Sequence, residues 1–167
     1  WREDDAPAPL NHYGRTKLAG EQAIVQSGCR HLILRTSWVH AVRGRNFIHT
    51  MLRLAREREH LRVVDDQWGA PTGAELVADV SAHALVQALT WPEKAGIYHL
   101  AATGHTCWRD YARYVIEHAR RIQPSLALAV REIAGVPTRD YPTPAQRPLN
   151  SRLDTQRLQA SLGLLLP

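Results

Sequence analysis

A chain of 167 residues and 18.8 kDa, 44% hydrophobic and 22% charged, has the size and balance of one ordinary folded domain, able to hide about two thirds of its unfolded surface. No apolar run approaches a membrane span, since Leu162–Leu166 is short and broken by Gly163, and the acidic opening at Glu3, Asp4 and Asp5 does not read as a secretory leader. The net charge of +5 comes from scattered arginines, and the densest run, Arg53 to Arg62, is interleaved with Glu57 and Glu59, so neither a membrane nor a nucleic acid is expected as partner.

Position 1 is Trp and the only methionine is Met51, inside a helical pattern, so the chain is expected to be part of a longer protein. Leu10 to Ser27 reads as a helix, with Asn11 as N-cap and Gly28 just past its end. His31 to Thr36 is a short apolar run of the kind a buried parallel strand shows. Asn46 can cap a second helix, whose apolar stripe is Phe47, Ile48, Met51, Leu52 and Ala55. Arg62–Asp65 reads as strand. Thr72-Gly-Ala-Glu75 has capping-box spacing and opens a helix to about Leu89, closed by Pro92 and Gly96. Ile97–Leu100 is the next strand. Cys107–Ile122 is the clearest amphipathic helix, with Trp108, Tyr111, Ala112, Val115, Ile116 and Ala119 on one stripe. Leu126–Ile133 is read as a strand, followed by a proline-marked irregular segment and a short helix from about Thr155.

Helices alternating with short apolar strands predict an α/β fold. Cys29 and Cys107 are isolated in apolar company and are expected to be reduced core cysteines of a cytoplasmic protein. No two of the nine histidines lie three or four apart, so no helical metal pair is present. Dinucleotide-binding folds need a turn with glycines three apart, and none of the ten glycines makes GxGxxG or GxxGxxG. If a nicotinamide cofactor is used, its phosphates are held from outside this sequence.

Tyr13 and Lys17 stand four apart on the first helix and share a face. An ammonium beside a phenol favours the phenolate, making Tyr13 a candidate proton donor to a carbonyl under reduction. A helix-surface tyrosine beside a solvated lysine is the alternative. Around this pair, Tyr13-Gly-Arg-Thr-Lys17-Leu-Ala-Gly-Glu21 and Arg35-Thr-Ser-Trp-Val39 resemble the extended short-chain dehydrogenase/reductases. More narrowly, the chain resembles their dTDP-4-dehydrorhamnose reductase family. That likeness is carried by Gly44-Arg-Asn-Phe47, Asp66-Gln-Trp-Gly-Ala-Pro-Thr-Gly-Ala-Glu75, Tyr98-His99, Trp108 and Tyr141-Pro-Thr-Pro-Ala-Gln-Arg-Pro-Leu-Asn-Ser151.

The resemblance implies a partial Rossmann-like parallel sheet lacking its N-terminal dinucleotide-binding half, plus a small α/β substrate-binding lobe. It puts the Rossmann-like part at about residues 1–68 and the lobe at about 69–167, with interleaving allowed. It implies reduction of dTDP-4-dehydro-L-rhamnose with hydride from NADPH or NADH, the discriminating residues lying outside this sequence. Tyr13 and Lys17 would be catalytic and would hold the nicotinamide ribose, and Thr36, Ser37 and Val39 would pass the nicotinamide. Trp38 would pack on the sugar and Arg147 would reach the diphosphate of the dTDP-sugar. A core indole and a structural ion pair are their bland counterparts. Glu75 matches a residue that in some members helps hold Mg²⁺ at a homodimer contact. His40 and Cys107 depart from the family, which usually has Tyr and Ser or Thr there. Without the missing half, the chain alone is not expected to turn over substrate. Two other readings stay open: a non-catalytic regulatory subunit on the same scaffold, and another nucleotide-sugar epimerase or dehydratase.

Overall fold

Asparagine caps set where the first two helices begin. In the computed structural model, which describes residues 1–167, α1 runs His12–Gln26 because the Asn11 side chain accepts the Gly14 amide. Gly28, at φ 70°, lets the chain leave the helix in the left-handed region. Strand β1 (Leu32–Arg35) and the two-residue β2 (Val39–His40) follow. Next comes α2 (Phe47–Glu57), capped by Asn46 on the His49 amide. Then come β3 (His60–Val64), β4 (Trp68–Gly69), β5 (Thr72–Gly73), α3 (Ala74–Thr90), β6 (Gly96–His99), β7 (Thr106–Cys107), α4 (Trp108–Ile122), β8 (Glu132–Val136) and α5 (Gln156–Leu162).

The strands form pairs. β1 runs parallel to β6 from Leu32 opposite Gly96, and β3 runs parallel to β8 from His60 opposite Glu132. β2 pairs with β5 in parallel and β4 with β7 antiparallel. Two cores result. One joins Met51 and Ala55 of α2, Leu61 and Val63 of β3, Ala112 and Ile116 of α4, and Val130. The other joins Val80 and Ala84 of α3, Tyr98, Leu100, Leu158 and Leu162 of α5, and Leu166. Each helix pair covers one parallel strand pair, with α4 lying in the connection from β3 to β8 and α3 in that from β1 to β6, the arrangement that α/β chains adopt. The first core draws on residues from both sides of position 68.

Several expectations change. Cys29 is exposed at the end of α1, where its apolar neighbours Ile24 and Val25 are themselves exposed. Thr72 is no helix cap: it lies in β5, its hydroxyl donates to the Ala70 carbonyl, and Gly73 takes the cap position with no side-chain bond. The β8 ladder starts at Glu132 rather than Leu126. The apolar alternation at Leu128 and Val130 reflects packing on the first core ahead of the ladder. β1 is only half-buried along its whole length, because α1 buries none of its residues. Helix α1 thus depends on local anchors, and Asn11→Ala is expected to cost about 1 kcal/mol and to speed amide exchange in its first turn. No helix is long and apolar enough to cross a membrane.

Candidate active site

The face of α1 that carries Tyr13 and Lys17 points away from both cores. Tyr13 is 73% exposed, Lys17 is also exposed, and neither side chain makes a hydrogen bond or ion pair. The helix is tied down elsewhere. Arg35 of β1 donates from Nε at 2.9 Å and a terminal nitrogen at 2.7 Å to one carboxylate oxygen of Glu21. Asn11 Nδ2 donates to the Gln146 carbonyl at 2.9 Å, joining α1 to the proline-marked segment. Gly14 lets the helix sit against the preceding loop, where a Cβ would stand 2.9 Å from Pro9.

A cleft of about 620 Å³ runs along this helix, walled by Lys17, Glu21, Arg35, Thr36, Ser37, His99 and the chain from Pro148 to Ser151. Ser37 Oγ and His99 Nδ1 are buried there without a partner. Burial pushes the His99 imidazole below its ordinary pKa, against the opposing charge of Glu3, so the ring is held neutral. The Glu3 carboxylate accepts the His99 backbone amide at 2.8 Å.

Two residues further along the chain the surroundings change. Trp38 and Val39 line a second cavity of about 580 Å³, richer in aromatic side chains, with His40, Phe47, Gln67, Trp108 and Tyr111. Trp38 has φ 50°, the only non-glycine residue in the left-handed region. Its ring lies flat on Trp108, centroids 3.6 Å apart and planes 11° from parallel. Phe47 meets Trp108 at 4.6 Å and stacks on Tyr111 at 5.3 Å. Gly69 closes on the indole so tightly that a Cβ would stand 2.5 Å from Cε2. Trp108 therefore covers one face of Trp38, and Gly69 crowds its five-membered ring.

Arg45, Arg62, Tyr141, Thr143 and Arg147 complete the wall of this cavity. Arg147 is exposed and carries no ion pair, so its guanidinium is available to a ligand. Burial raises the Tyr111 phenol above its ordinary pKa, keeping it protonated. Residues 36–39 thus run from the cleft, lined by Thr36 and Ser37, into the cavity, lined by Trp38 and Val39. Tyr13 borders neither hollow. Glu75 is exposed in the first turn of α3, and no group of three His, Cys, Asp or Glu side chains able to hold a metal occurs anywhere in the chain. Alone, Glu75 does not fit a Mg²⁺ centre.

The two departures fall on either side of the aromatic wall. His40 lines the cavity 6.4 Å from Tyr111, with Nδ1 buried and unpartnered. Cys107 precedes α4 and its thiol donates to Asp110 at 3.3 Å, while burial pushes that thiol up. The Asp110 carboxyl is held below its usual range, first by Arg109 and then by Cys107. Phe47, Tyr111, Arg45, Arg62 and Gln67 stood in the sequence only within stripes, a strand or motifs, and none of them as a site residue. The two α4 aromatics, Trp108 and Tyr111, carried a signal: rings three apart at a helix start can serve a wall as well as a core.

The model of the RmlD substrate binding domain matches residues 1–167. The chain belongs to that family. Members related to it include the dTDP-4-dehydrorhamnose reductase of Escherichia coli, 57% identical over 167 residues that make up all of this chain and 55% of the relative. The Burkholderia thailandensis reductase is 44% identical over 171 residues, covering 99% of this chain and 57% of the relative. Among solved structures, the Bacillus anthracis dTDP-4-dehydrorhamnose reductase in complex with NADP superposes at a TM-score of 0.81 with 34% identity, over 99% of this chain and 54% of that one. The chain thus spans about half the length of the reductases it matches. These likenesses bear out the resemblance and the partial Rossmann-like α/β class, and this RmlD-family chain carries the cleft and the cavity on that part.

Proposed function

We propose that this RmlD-family chain is the substrate-binding and proton-donating part of a reductase that converts dTDP-4-dehydro-L-rhamnose into dTDP-L-rhamnose. The observation that carries this reading is the path of residues 36–39, which joins the Lys17 cleft to the aromatic cavity. A nucleotide-sugar needs such a composite site: apolar and aromatic walls for base and deoxysugar, and cations for the diphosphate. Arg147, with Arg45 and Arg62 nearby, supplies the cations, and Trp38 contributes its edge to the wall. The reductase relatives support the substrate class, and the NADP held by the Bacillus anthracis structure supports NADPH over NADH.

NADPH, when bound, supplies the hydride that adds to the C4 carbonyl carbon. Lys17 and Ser37, with no partners of their own, suit the polar nicotinamide ribose end, while this sequence has no glycine turn for the phosphates. The Tyr13 hydroxyl donates its proton to the C4 oxygen as the carbonyl becomes an alcohol, and the Lys17 ammonium stabilises the phenolate left behind. Thr36 in the cleft and Val39 in the cavity are assigned here to the nicotinamide. In this reading the protein works in the cytoplasm as a homodimer, and Glu75 binds Mg²⁺ only if groups outside this chain complete the site.

Calorimetric titration of the chain tests the reading. Binding of dTDP-L-rhamnose, with UDP-glucose and NADPH binding at least tenfold more weakly, is the expected result. A folded chain that ignores the dTDP-sugar overturns it.

A further inference from the structure

The two walls of the aromatic cavity come from parts of the chain far apart in sequence, Trp108 at the start of α4 and the segment 138–147 after β8. One buried side chain touches both. Gln67, only 6% exposed, lies between β3 and β4. Its Oε1 accepts Trp108 Nε1–H at 3.1 Å, and its Nε2 donates to Thr138 Oγ1 at 3.1 Å. The Thr138 hydroxyl in turn donates to Asp66, and the Thr138 amide meets both carboxylate oxygens of Asp66, at 3.0 and 2.9 Å.

The chemistry allows one polarity only. An indole N–H can only donate, so it must meet the amide oxygen. The Asp66 carboxylate can only accept, so the Thr138 proton is committed to it and the hydroxyl accepts from the Gln67 amide. Asp66 is ionised, since the Thr138 hydroxyl and amide outweigh the opposing effect of burial and draw its pKa below the ordinary value. The orientation of Gln67 is therefore fixed from both ends. Trp108, fixed by Gln67, is the platform on which Trp38 stacks. Thr138 begins the turn leading to Tyr141, Thr143 and Arg147 on the opposite wall.

We propose that Gln67 is a positioning residue that sets the aromatic wall and the Arg147-bearing segment at a fixed separation, and so fixes the cavity for a thymidine diphosphate group. The ligand in this statement rests on the proposed function; the coupling of the two walls does not. Buried, fully paired polar chains of this kind hold a binding site in one geometry.

The test uses the 167-residue chain with Gln67→Met, which keeps the length but removes both hydrogen bonds. Thr138→Val removes only the hydroxyl, and Thr138→Ser retains it. Hydrogen exchange at Asp140 and Tyr141 is expected to accelerate at least tenfold in Gln67→Met and Thr138→Val, while β3 and β8 exchange as before. Thr138→Ser should behave as the unsubstituted chain. Circular dichroism should show the coupled signal of the Trp38/Trp108 stack diminished in Gln67→Met and intact in Thr138→Ser. With dTDP as probe, the Kd should rise about tenfold in Gln67→Met and Thr138→Val. Unchanged exchange in the segment, or an equal acceleration across β3 and β8, overturns the coupling. If the unsubstituted chain does not bind dTDP, the proposed function fails, and exchange and dichroism still decide the role of Gln67.

Discussion

Gly69→Ala is expected to destabilise the chain by about 1–3 kcal/mol and to distort the aromatic cavity, the magnitude typical of forcing a methyl into a packed site. A Cβ at this position would stand 2.5, 2.7 and 2.9 Å from Cε2, Nε1 and Cδ2 of Trp38. The indole has nowhere to retreat, because Trp108 lies against it at 3.6 Å. Its backbone cannot relax freely either. Trp38 already holds φ 50°, a conformation that costs a non-glycine residue about 1–2 kcal/mol and is kept by its surroundings. Those surroundings include the Trp38 carbonyl, which accepts the Thr72 amide at 3.2 Å at the start of the β2–β5 pair. Denaturant unfolding measures the loss, and the dichroism of the indole pair reports the distortion. Gly20→Ala is the control: a Cβ there meets nothing within 4 Å, so this substitution inside α1 should be neutral or stabilising by up to about 1 kcal/mol. Equal stability of the two variants would show that Trp38 is not held as described.

The contrast between Gly69 and Asn11 shows what the sequence made legible. Asn11, Asn46 and Gly28 act on amides or dihedrals within a few residues of themselves, so the helix ends could be read directly. The stripe of α4 was equally plain, because a single helix face has to meet one core. Gly69 and Trp38 are thirty-one residues apart, and Trp38 and Trp108 seventy. No periodicity records that they meet. The same holds for β2, β4, β5 and β7, two-residue strands whose existence depends wholly on a distant partner. Thr72 misled for a related reason. Its spacing to Glu75 imitates a capping box, but its hydroxyl is taken by the Ala70 carbonyl and the Ala102 amide within β5's own surroundings. The family resemblance assigned Trp38 and Arg147 to the substrate and Val39 to the nicotinamide, and all three line one cavity. It did not show that Trp38 would be stacked on another indole, since that depends on Gln67 turning Trp108 towards it.

In the reductase proposed above, with a dinucleotide-binding half present, Tyr13→Phe should lower kcat by about 10²–10⁴, equivalent to about 3–5 kcal/mol of transition-state stabilisation. It should leave sugar-nucleotide affinity nearly unchanged. The substitution removes one oxygen from a side chain that is 73% exposed and whose hydroxyl has no hydrogen-bond partner, so neither core is disturbed. The backbone carbonyl of Tyr13, which accepts the Thr16 hydroxyl at 2.9 Å, is retained, as is the Asn11 cap. A defect confined to kcat would therefore report on the proton alone, because an interaction made only in the transition state lowers kcat without altering ground-state binding. Lys17→Met is the complementary change. It removes the ammonium expected to stabilise the Tyr13 phenolate, and should both slow turnover and weaken NADPH binding. Should Tyr13→Phe retain full kcat with intact dTDP-L-rhamnose affinity, the proton must come from elsewhere, and α1 would serve this protein as a scaffold rather than as its source of acid.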